Sequence, residues 1–176
     1  MKQLLSTYNQ PRAQKSFLFR AIWFLVFKPL VASWIPGTYW RKFILSCFGA
    51  RFGKHGCIKP YLCVSYPWNL KVGDFCWLGE SLWIDCLAPV TVGDHVCLSQ
   101  GAYLCTGNHD FKRPSFDLRL ASIVIGAESW VGAKSILAPG SVLGQGSVIC
   151  LGSVVTGAVE PFAIVRGNPA ARVGTR

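Results

Sequence analysis

The first 73 residues of the chain contain no aspartate and no glutamate. All eight acidic residues lie from Asp74 onward, whereas eleven of the 18 lysines and arginines precede it. The net charge of +10 at pH 7 therefore belongs to the N-terminal part of the chain. A basic segment of this kind is suited to an anionic membrane surface or to nucleic acid. We find no nucleic-acid recognition motif, and we predict that no nucleic acid is bound.

The chain also lacks a hydrophobic run long enough to cross a bilayer. Residues 17–40 are rich in aromatic and aliphatic side chains, but Arg20 and Lys28 interrupt them, and the longest uncharged apolar run covers only residues 21–27. A membrane span needs about 20 apolar residues, and the pattern is not that of a secretory signal. Two interpretations of residues 1–50 stay open: a helical segment bound peripherally to an anionic membrane, or one that caps a repeat fold.

Closely spaced cysteine pairs are absent as well. Zinc sites usually contain such pairs, so we predict no structural metal. Because there is no export signal, reduced thiols acting as small core residues and a cytoplasmic location are expected. The eight cysteines lie at positions 47, 57, 63, 76, 86, 97, 105 and 150.

What the chain does contain is an apolar residue at every sixth position, with three changes of phase. Sixteen of the seventeen guide positions hold isoleucine, leucine or valine, a regularity that is typical of a repeat architecture. The guide positions are Phe52, Ile58, Val64, Leu70, Val72, Leu78, Ile84, Val90, Val92, Leu98, Leu104, Ile125, Val131, Leu137, Leu143, Ile149 and Val155.

The repeat also shows a longer period, of about three six-residue units. Phe52, Val72 and Val92 are each followed by glycine and recur at intervals of 20 residues. Three six-residue units per turn predict an all-β solenoid with a triangular coil, in which the guide side chains stack inside. A period of six does not fit an α-helix, and a meander or sandwich of short strands would show alternation of period two. We predict a coil over residues 51–165, an N-terminal helical segment over 1–50 and a tail over 166–176.

One histidine lies where the repeat stops. His109 precedes a polar insertion at 110–122, and a long loop that interrupts a regular coil is commonly functional. Imidazole can accept a proton near neutral pH, which makes His109 a candidate general base. The alternative is a loop histidine with one structural hydrogen bond. The other two histidines, His55 and His95, lie in turn-like contexts and are expected to be structural or exposed.

Several motifs together resemble the hexapeptide-repeat acyltransferases, whose fold is a left-handed parallel β-helix. The chain is most similar to the branch for colanic acid and other exopolysaccharide biosynthesis, which is related to the maltose, galactoside and nodulation acetyltransferases. The resemblance covers nearly the whole chain. It is carried by residues 84–93, 99–110, 125–140, 152–156 and 167–170 and by the basic N-terminal segment with Pro67-Trp-Asn69.

The resemblance implies an O-acetyltransferase that moves acetyl from acetyl-CoA to a sugar hydroxyl during surface polysaccharide biosynthesis. His109 would remove the hydroxyl proton as it attacks the thioester, a contribution of roughly a hundredfold to ten-thousandfold in rate. Transfer would be direct, because no nucleophile elbow is present. The resemblance further implies a homotrimer with active sites between subunits and the insertion beside them.

Three polar residues are assigned to the sugar acceptor. Asp85 follows Ile84 one coil before His109, where a carboxylate can accept hydrogen bonds from sugar hydroxyls, although an exposed corner aspartate is the plain alternative. Ser99 and Asn108 are the other two candidates. The chain departs from its sugar-acetylating relatives at the asparagine they carry near this point, since Gly79 and Ser81 occupy the corresponding positions.

The resemblance also assigns the coenzyme side. In relatives the pantetheine arm follows an outer edge of the coil, and basic residues near the C-terminus meet the phosphates, which indicates Arg166 and Arg172. Gly157 stands where a lysine is common. Trp130 is alternatively a packing residue, and a bulky side chain at position 133 would obstruct the channel. The channel positions are Trp130, Gly132, Ala133, Gly152 and Thr156.

Three other functions remain as alternatives. A γ-type carbonic anhydrase uses the same coil but binds zinc through three histidines, and this chain has three in total without the paired spacing. A non-catalytic scaffold would not need His109. An acetyltransferase for xenobiotics or other small molecules would differ only in its acceptor.

Overall fold

Three β-sheets of parallel strands, one of them extended by an antiparallel strand, form the walls of a triangular coil. The computed structural model describes residues 6, 8 and 15–176, so the rest of the predicted 1–50 segment lies outside the described residues. Sheet A contains β1 (Arg51–Phe52), β4 (Leu70–Val72), β7 (Val90–Val92), β12 (Ile123–Ile125), β15 (Val142–Leu143) and β18 (Ala158–Val159). Sheet B contains β2 (Cys57–Ile58), β5 (Trp77–Leu78), β8 (Cys97–Leu98), β13 (Trp130–Val131), β16 (Val148–Ile149), β19 (Ala163–Gly167) and β20 (Ala170–Thr175). Sheet C contains β3 (Cys63–Val64), β6 (Trp83–Ile84), β9 (Tyr103–Leu104), β14 (Ile136–Leu137) and β17 (Val154–Val155).

The chain visits sheets A, B and C in turn, which confirms the predicted left-handed β-helix. We name the corners after the sheets they join. The AB edge comprises residues 53–56, 73–76, 93–96, 126–129, 144–147 and 160–162. The BC edge comprises 59–62, 79–82, 99–102, 132–135 and 150–153. The CA edge comprises 65–69, 85–89, 105–122, 138–141 and 156–157.

The six-residue period is explained by burial. Each of the sixteen aliphatic guide residues is no more than 4% exposed. The prediction that these side chains fill the interior of the coil is therefore confirmed. Phe52, the one aromatic guide, is half-buried. Because successive strand residues point to opposite faces, the residue before each guide points outward.

Helices close the open end of the first coil. They are α1 (Phe17–Ile22), a π-helical turn (Trp23–Phe27), α2 (Lys28–Val31) and α3 (Thr38–Cys47), and a 3-10 helix (Pro67–Asn69) lies on the CA edge. Trp23, Val31 and Leu45 are fully buried in the same core as the guide residues. The Trp23 indole N–H donates to the carbonyl of Ser65 over 2.8 Å. The helices thus pack over the end of the coil, as the capping interpretation expects. None of the described helices is long and apolar enough to cross a membrane.

A buried arginine holds the two parts of the cap together. Arg41 is fully buried and donates to the carbonyls of Val31, Ser33 and Gly37 over 3.0, 2.8 and 2.9 Å. Desolvation lowers the pKa of this guanidinium, and three backbone acceptors supply the hydrogen bonds that water would otherwise make. The turn between α2 and α3 is thereby tied to α3.

Two segments differ from the expected boundaries. The excursion from the coil begins at Gly107, before the predicted 110–122, because β10 (Gly107–His109) pairs antiparallel with β11 (Leu118–Leu120). His109 consequently belongs to this hairpin rather than to the end of the coil. The predicted tail 166–176 is largely the antiparallel pair of β19 and β20, which extends sheet B.

The cysteines are free thiols. We expected them to be core residues, but most of them are not buried. Only Cys76 and Cys86 are buried, and burial raises the pKa of both thiols. The others are half-buried or exposed. Cys57, Cys63 and Cys97 precede guide residues and therefore face outward from the coil.

Candidate active site

His109 is held in one orientation by the turn of the β10–β11 hairpin. Its Nδ1 lies 2.9 Å from the carbonyl oxygen of Phe116, and its ring stacks on the Phe116 ring with centroids 4.3 Å apart and planes 4° apart. A carbonyl oxygen can only accept a hydrogen bond, so Nδ1 carries the proton in this contact. In the neutral ring, Nε2 then has the free lone pair, as a general base requires.

Asp110 anchors the hairpin directly beyond His109. Its carboxylate is 5% exposed and accepts from Nη2 of Arg119 over 2.5 Å, with Nε of Arg113 3.4 Å away. The backbone N–H of Lys112 donates to the same carboxylate over 3.2 Å. A buried carboxylate with charged and backbone donors limits the conformations of the turn. The sequence analysis placed these residues in the insertion but gave Asp110 no role. The available signal was the spacing, since arginines follow this acid three and nine residues later.

Asp85 lies at the base of the hairpin on the CA edge. It is 7% exposed, so the alternative of an exposed corner aspartate is wrong. The backbone N–H of Thr106 donates to its two carboxylate oxygens over 2.9 and 3.0 Å, and the Thr106 hydroxyl donates to Oδ1. The same hydroxyl accepts from the N–H of Ala88 over 3.1 Å. Sequence reasoning missed Thr106, which joins Asp85 to the strand that carries His109.

Asn108 and Tyr8 also lie next to the histidine. Asn108 is exposed, and its Oδ1 accepts from the backbone N–H of His109 over 2.8 Å. The Tyr8 ring lies 5.7 Å from the His109 ring, at an interplanar angle of 50°. An amide side chain next to the imidazole leaves its NH₂ group available as a donor.

Ser99 and Trp130 lie together on a different corner, the BC edge and the adjoining strand of sheet B. The indole N–H of Trp130 donates to the Ser99 hydroxyl oxygen over 2.9 Å. Trp130 is 50% exposed, so it is not a core packing residue. The structure therefore joins an expected acceptor residue to an expected coenzyme residue, away from His109.

The BC edge has small residues and a close approach of backbones. A Cβ at Gly132 would lie 2.6 Å from the carbonyl oxygen of Ile149 and from the nitrogen of Leu151, so only glycine fits. Gly152 N donates to the carbonyl of Ala133 over 2.8 Å. Gly152 has φ +68°, and a Cβ there would meet no atom within 4 Å. The outer side of the edge is therefore open at Gly152.

The other expected coenzyme residues are spread further. Arg166 is exposed in β19, two coils beyond Gly132 and one coil beyond Gly152. Arg172 is exposed in β20, where its Nη2 donates to the hydroxyl of Thr175 over 2.9 Å. Thr156 is exposed but lies on the CA edge.

The candidate residues thus occupy two edges of one prism, and sheet C separates them. The CA edge carries Asp85, Asn108, His109 and Thr156, whereas Ser99, Gly132, Ala133 and Gly152 lie on the BC edge, with Trp130 beside it. A single chain does not bring the candidate base to the candidate coenzyme channel.

The three histidines are not gathered into a metal site. His55 and His95 are exposed on the AB edge, as expected, and both stack on Phe75, with ring centroids 4.8 and 5.0 Å away. His109 lies on another edge. Within the part of the chain that the structure describes, no group of three or more histidine, cysteine, aspartate or glutamate side chains could hold a metal ion.

A left-handed β-helix with a corner hairpin that presents an oriented histidine is the arrangement expected of hexapeptide-repeat acyltransferases. No protein-family model matches the chain. The chain is 36% identical over 157 residues to an Escherichia coli K12 acetyltransferase assigned to colanic acid biosynthesis, WcaF, with 88% of this chain and 86% of the relative covered. The Shigella flexneri WcaF matches equally well. The chain belongs to this family, the colanic acid branch of the hexapeptide-repeat acetyltransferases, and is an acyltransferase.

Solved structures share the fold. A maltose O-acetyltransferase from Clostridium difficile superposes with a TM-score of 0.79 at 24% identity, covering 91% of this chain and 89% of that one. A hexapeptide-repeat acetyltransferase from Vibrio cholerae, bound to acetyl-CoA, superposes with a TM-score of 0.77 at 24% identity, covering 83% and 81%. At this level of identity the likeness concerns the fold.

Proposed function

We propose that the protein transfers the acetyl group of acetyl-CoA to a sugar hydroxyl in the biosynthesis of an exopolysaccharide or another surface polysaccharide. The observation that carries the proposal is the orientation of His109, whose Nδ1 faces the Phe116 carbonyl and whose Nε2 is left as the base. The colanic acid relative supports the polysaccharide role, and the acetyl-CoA bound to the Vibrio structure supports the donor.

The imidazole of His109 can make both proton transfers of a direct acetyl transfer. Nε2 of His109 takes the proton of the acceptor hydroxyl while its oxygen attacks the thioester carbonyl. The carbon–sulfur bond then breaks, and the imidazolium returns the proton to the departing thiolate of coenzyme A. The Phe116 carbonyl accepts from Nδ1–H throughout and stabilises the imidazolium when it forms. No covalent intermediate on the protein is required.

We assign Asp85 to positioning the hairpin, together with its partner Thr106, while Asn108 contacts the acceptor. Asp85 is 7% exposed, and its oxygens already accept from Thr106. Asn108 is exposed beside His109 and retains amide donors. Ser99 is 9% exposed on the BC edge and would reach an acceptor held by a neighbouring subunit.

Asp85→Asn is expected to lower the free energy of unfolding by about 1 to 3 kcal/mol, because the buried donors of Thr106 lose a carboxylate oxygen that accepts from them. It should lower kcat by about tenfold to a hundredfold through displacement of His109, with little effect on the KM for acetyl-CoA. Thr106→Val should behave similarly, whereas Thr106→Ser keeps both donors to Asp85 and should retain activity. Steady-state kinetics and urea unfolding measure both effects. An unchanged kcat in Asp85→Asn would contradict the positioning role.

The BC edge fits an extended thioester donor. Gly152 leaves the outer side of the edge open, and backbone groups of successive coils are close together at Gly132 and Ala133. Trp130 is a half-exposed aromatic surface beside them. Arg166 and Arg172 are exposed in the next coil and in the adjoining strand β20, where they would meet the phosphates of coenzyme A.

We infer a homotrimer in which the active site lies between subunits. The outward residues of sheet C form an apolar column, with Trp83 46% and Ile136 37% exposed and the Trp83 and Tyr103 rings stacked at 4.3 Å. If three prisms turn sheet C toward a common axis, the BC edge of each subunit lies against the CA edge of the next. This arrangement brings His109 of one subunit to Ala133 of its neighbour.

Trp83→Asp is expected to break the trimer, because a charge would be buried where three apolar columns meet. Trp77 is the matched control, since it is 44% exposed but faces outward from sheet B. Trp77→Asp should remain trimeric in light scattering, whereas Trp83→Asp should have the mass of a monomer and no acetyl transfer. A trimeric, active Trp83→Asp variant would exclude this interface.

The decisive assay is the release of coenzyme A from acetyl-CoA in the presence of candidate acceptors. Saccharides, including maltose, galactosides and polysaccharide repeat units, should stimulate the release, and mass spectrometry should find the acetylated sugar. Stimulation only by xenobiotic hydroxyl compounds would favour the small-molecule alternative, and no stimulation by any acceptor would favour a scaffold.

We also propose that the protein works in the cytoplasm, which supplies acetyl-CoA. The basic residues of the N-terminal segment support peripheral association with the inner face of the membrane.

A further inference from the structure

The outer face of the first helical segment is entirely apolar. Seven residues of the segment from Phe17 to Val31 are exposed, and none has a polar or charged side chain. They are Phe17 (79%), Leu18 (68%), Ile22 (41%), Leu25 (78%), Val26 (55%), Pro29 and Leu30 (38%). We call this surface the cap face.

The opposite side of the same segment already has its partner. Trp23 and Val31 are fully buried against the coil. The segment is therefore apolar on both sides, although a surface helix normally has one polar face. The linker and α3 continue the exposed apolar surface with Trp34 (69%), Tyr39 (86%) and Phe43 (70%). A concentration of large exposed apolar side chains of this kind marks a binding surface rather than a solvated one.

The charge around the cap face identifies the partner. The first 73 residues contain eleven lysines and arginines and no acid, and Lys15, Arg51, Lys54 and Lys71 are exposed. An apolar helical face in a part of the chain that carries cations and no acidic residue complements an anionic lipid surface. Since no described helix is long enough to cross the bilayer, the segment would lie in the headgroup region, parallel to the surface.

We propose that the cap face docks the enzyme onto anionic lipid bilayers by one end of the trimer. This proposal rests on the trimer of the proposed function. A threefold axis parallel to the long axis of each β-helix places all three cap faces at the same end of the trimer. Three faces in one plane bind with far greater avidity than one. The N-terminal helices contact the first segment of the CA edge through the hydrogen bond from Trp23 to Ser65. The CA edge, which also carries His109, therefore begins at the end of the molecule that would face the membrane.

Flotation of the full-length protein with vesicles tests the docking. Wild type is expected to float with vesicles that contain phosphatidylglycerol and much less with vesicles of phosphatidylcholine alone, and binding should fall with added salt. Leu25→Glu should reduce vesicle binding by about tenfold or more, because the change is repeated in three cap faces. The control is Phe162→Glu, at an exposed apolar residue (43%) on the AB edge, away from the proposed subunit interface, and it should float like wild type.

Failure of the docking is separable from failure of the proposed function. Leu25 lies outside the active site, so Leu25→Glu should keep the wild-type rate with a soluble saccharide acceptor. Wild type that stays unbound with anionic vesicles, or Leu25→Glu that floats like wild type, would overturn the docking whatever the activity. A wild-type assembly larger than a trimer that Leu25→Glu reduces to a trimer would also overturn it, since the cap face would then bind another copy. An inactive wild type that still floats would refute only the acetyl transfer.

Discussion

His109→Ala is expected to lower kcat for acetyl transfer by about a hundredfold to ten-thousandfold, the contribution of a general base to attack by an alcohol. The KM for acetyl-CoA should change little, because the donor is assigned to the BC edge and His109 lies on the CA edge. The measurement is coenzyme A release at saturating acetyl-CoA with the best saccharide acceptor. Loss of kcat at constant KM indicates an interaction made in the transition state.

His95→Ala is the matched control for this substitution. His95 is an exposed histidine in a corner of the same coil, on the AB edge, and its ring stacks on Phe75 rather than facing the site. The variant should keep wild-type activity, and both variants should have the circular dichroism of the wild type. Full activity in His109→Ala would contradict the proposed mechanism and would indicate that His109 is only a structural residue of the loop.

Activity should return when two inactive variants are assembled together. Ala133→Trp would fill the open side of the BC edge and block the donor, so its homotrimer should be inactive although its His109 is intact. In a mixed trimer, His109 from an Ala133→Trp subunit meets the normal BC edge of a His109→Ala subunit. Random assortment of equal amounts restores about a quarter of the sites, because each mixed trimer contains one intact pair.

Co-refolding or co-expression of the two variants, followed by the coenzyme A assay, measures this recovery. Ala127→Trp is the control for the bulky residue, since Ala127 occupies the equivalent place on the AB edge and its carbonyl also accepts from a glycine N–H over 2.8 Å. That variant should be active by itself. A mixture no more active than either variant would show that each site belongs to one subunit.

The interior of the coil was predictable because its period is local. Ile84 and Leu104 lie in neighbouring strands of sheet C, and each repeats an environment that the next coil supplies again. A residue every six positions therefore meets the same kind of neighbour, and composition at those positions reports burial directly. Cysteines such as Cys57 lack this signal, since a small side chain is tolerated on either face of a strand.

The surroundings of His109 were not predictable in the same way. Its proton position depends on the carbonyl of Phe116, seven residues away across a hairpin turn. The burial of Asp85 depends on Thr106 in the following coil. Both contacts follow from how the excursion folds back on the CA edge, and no periodic pattern describes an irregular turn.

The sequence by itself determined the coil, its guide residues, the family and the histidine at the break in the repeat, because each depends on spacing along the chain. Only the tertiary structure decided which edge each candidate residue occupies. The phase of the coil places His109 and Ala133 at different corners, with sheet C between them. Their separation follows from the three-sided geometry, and the proposed trimer would bring the two corners together between neighbouring subunits.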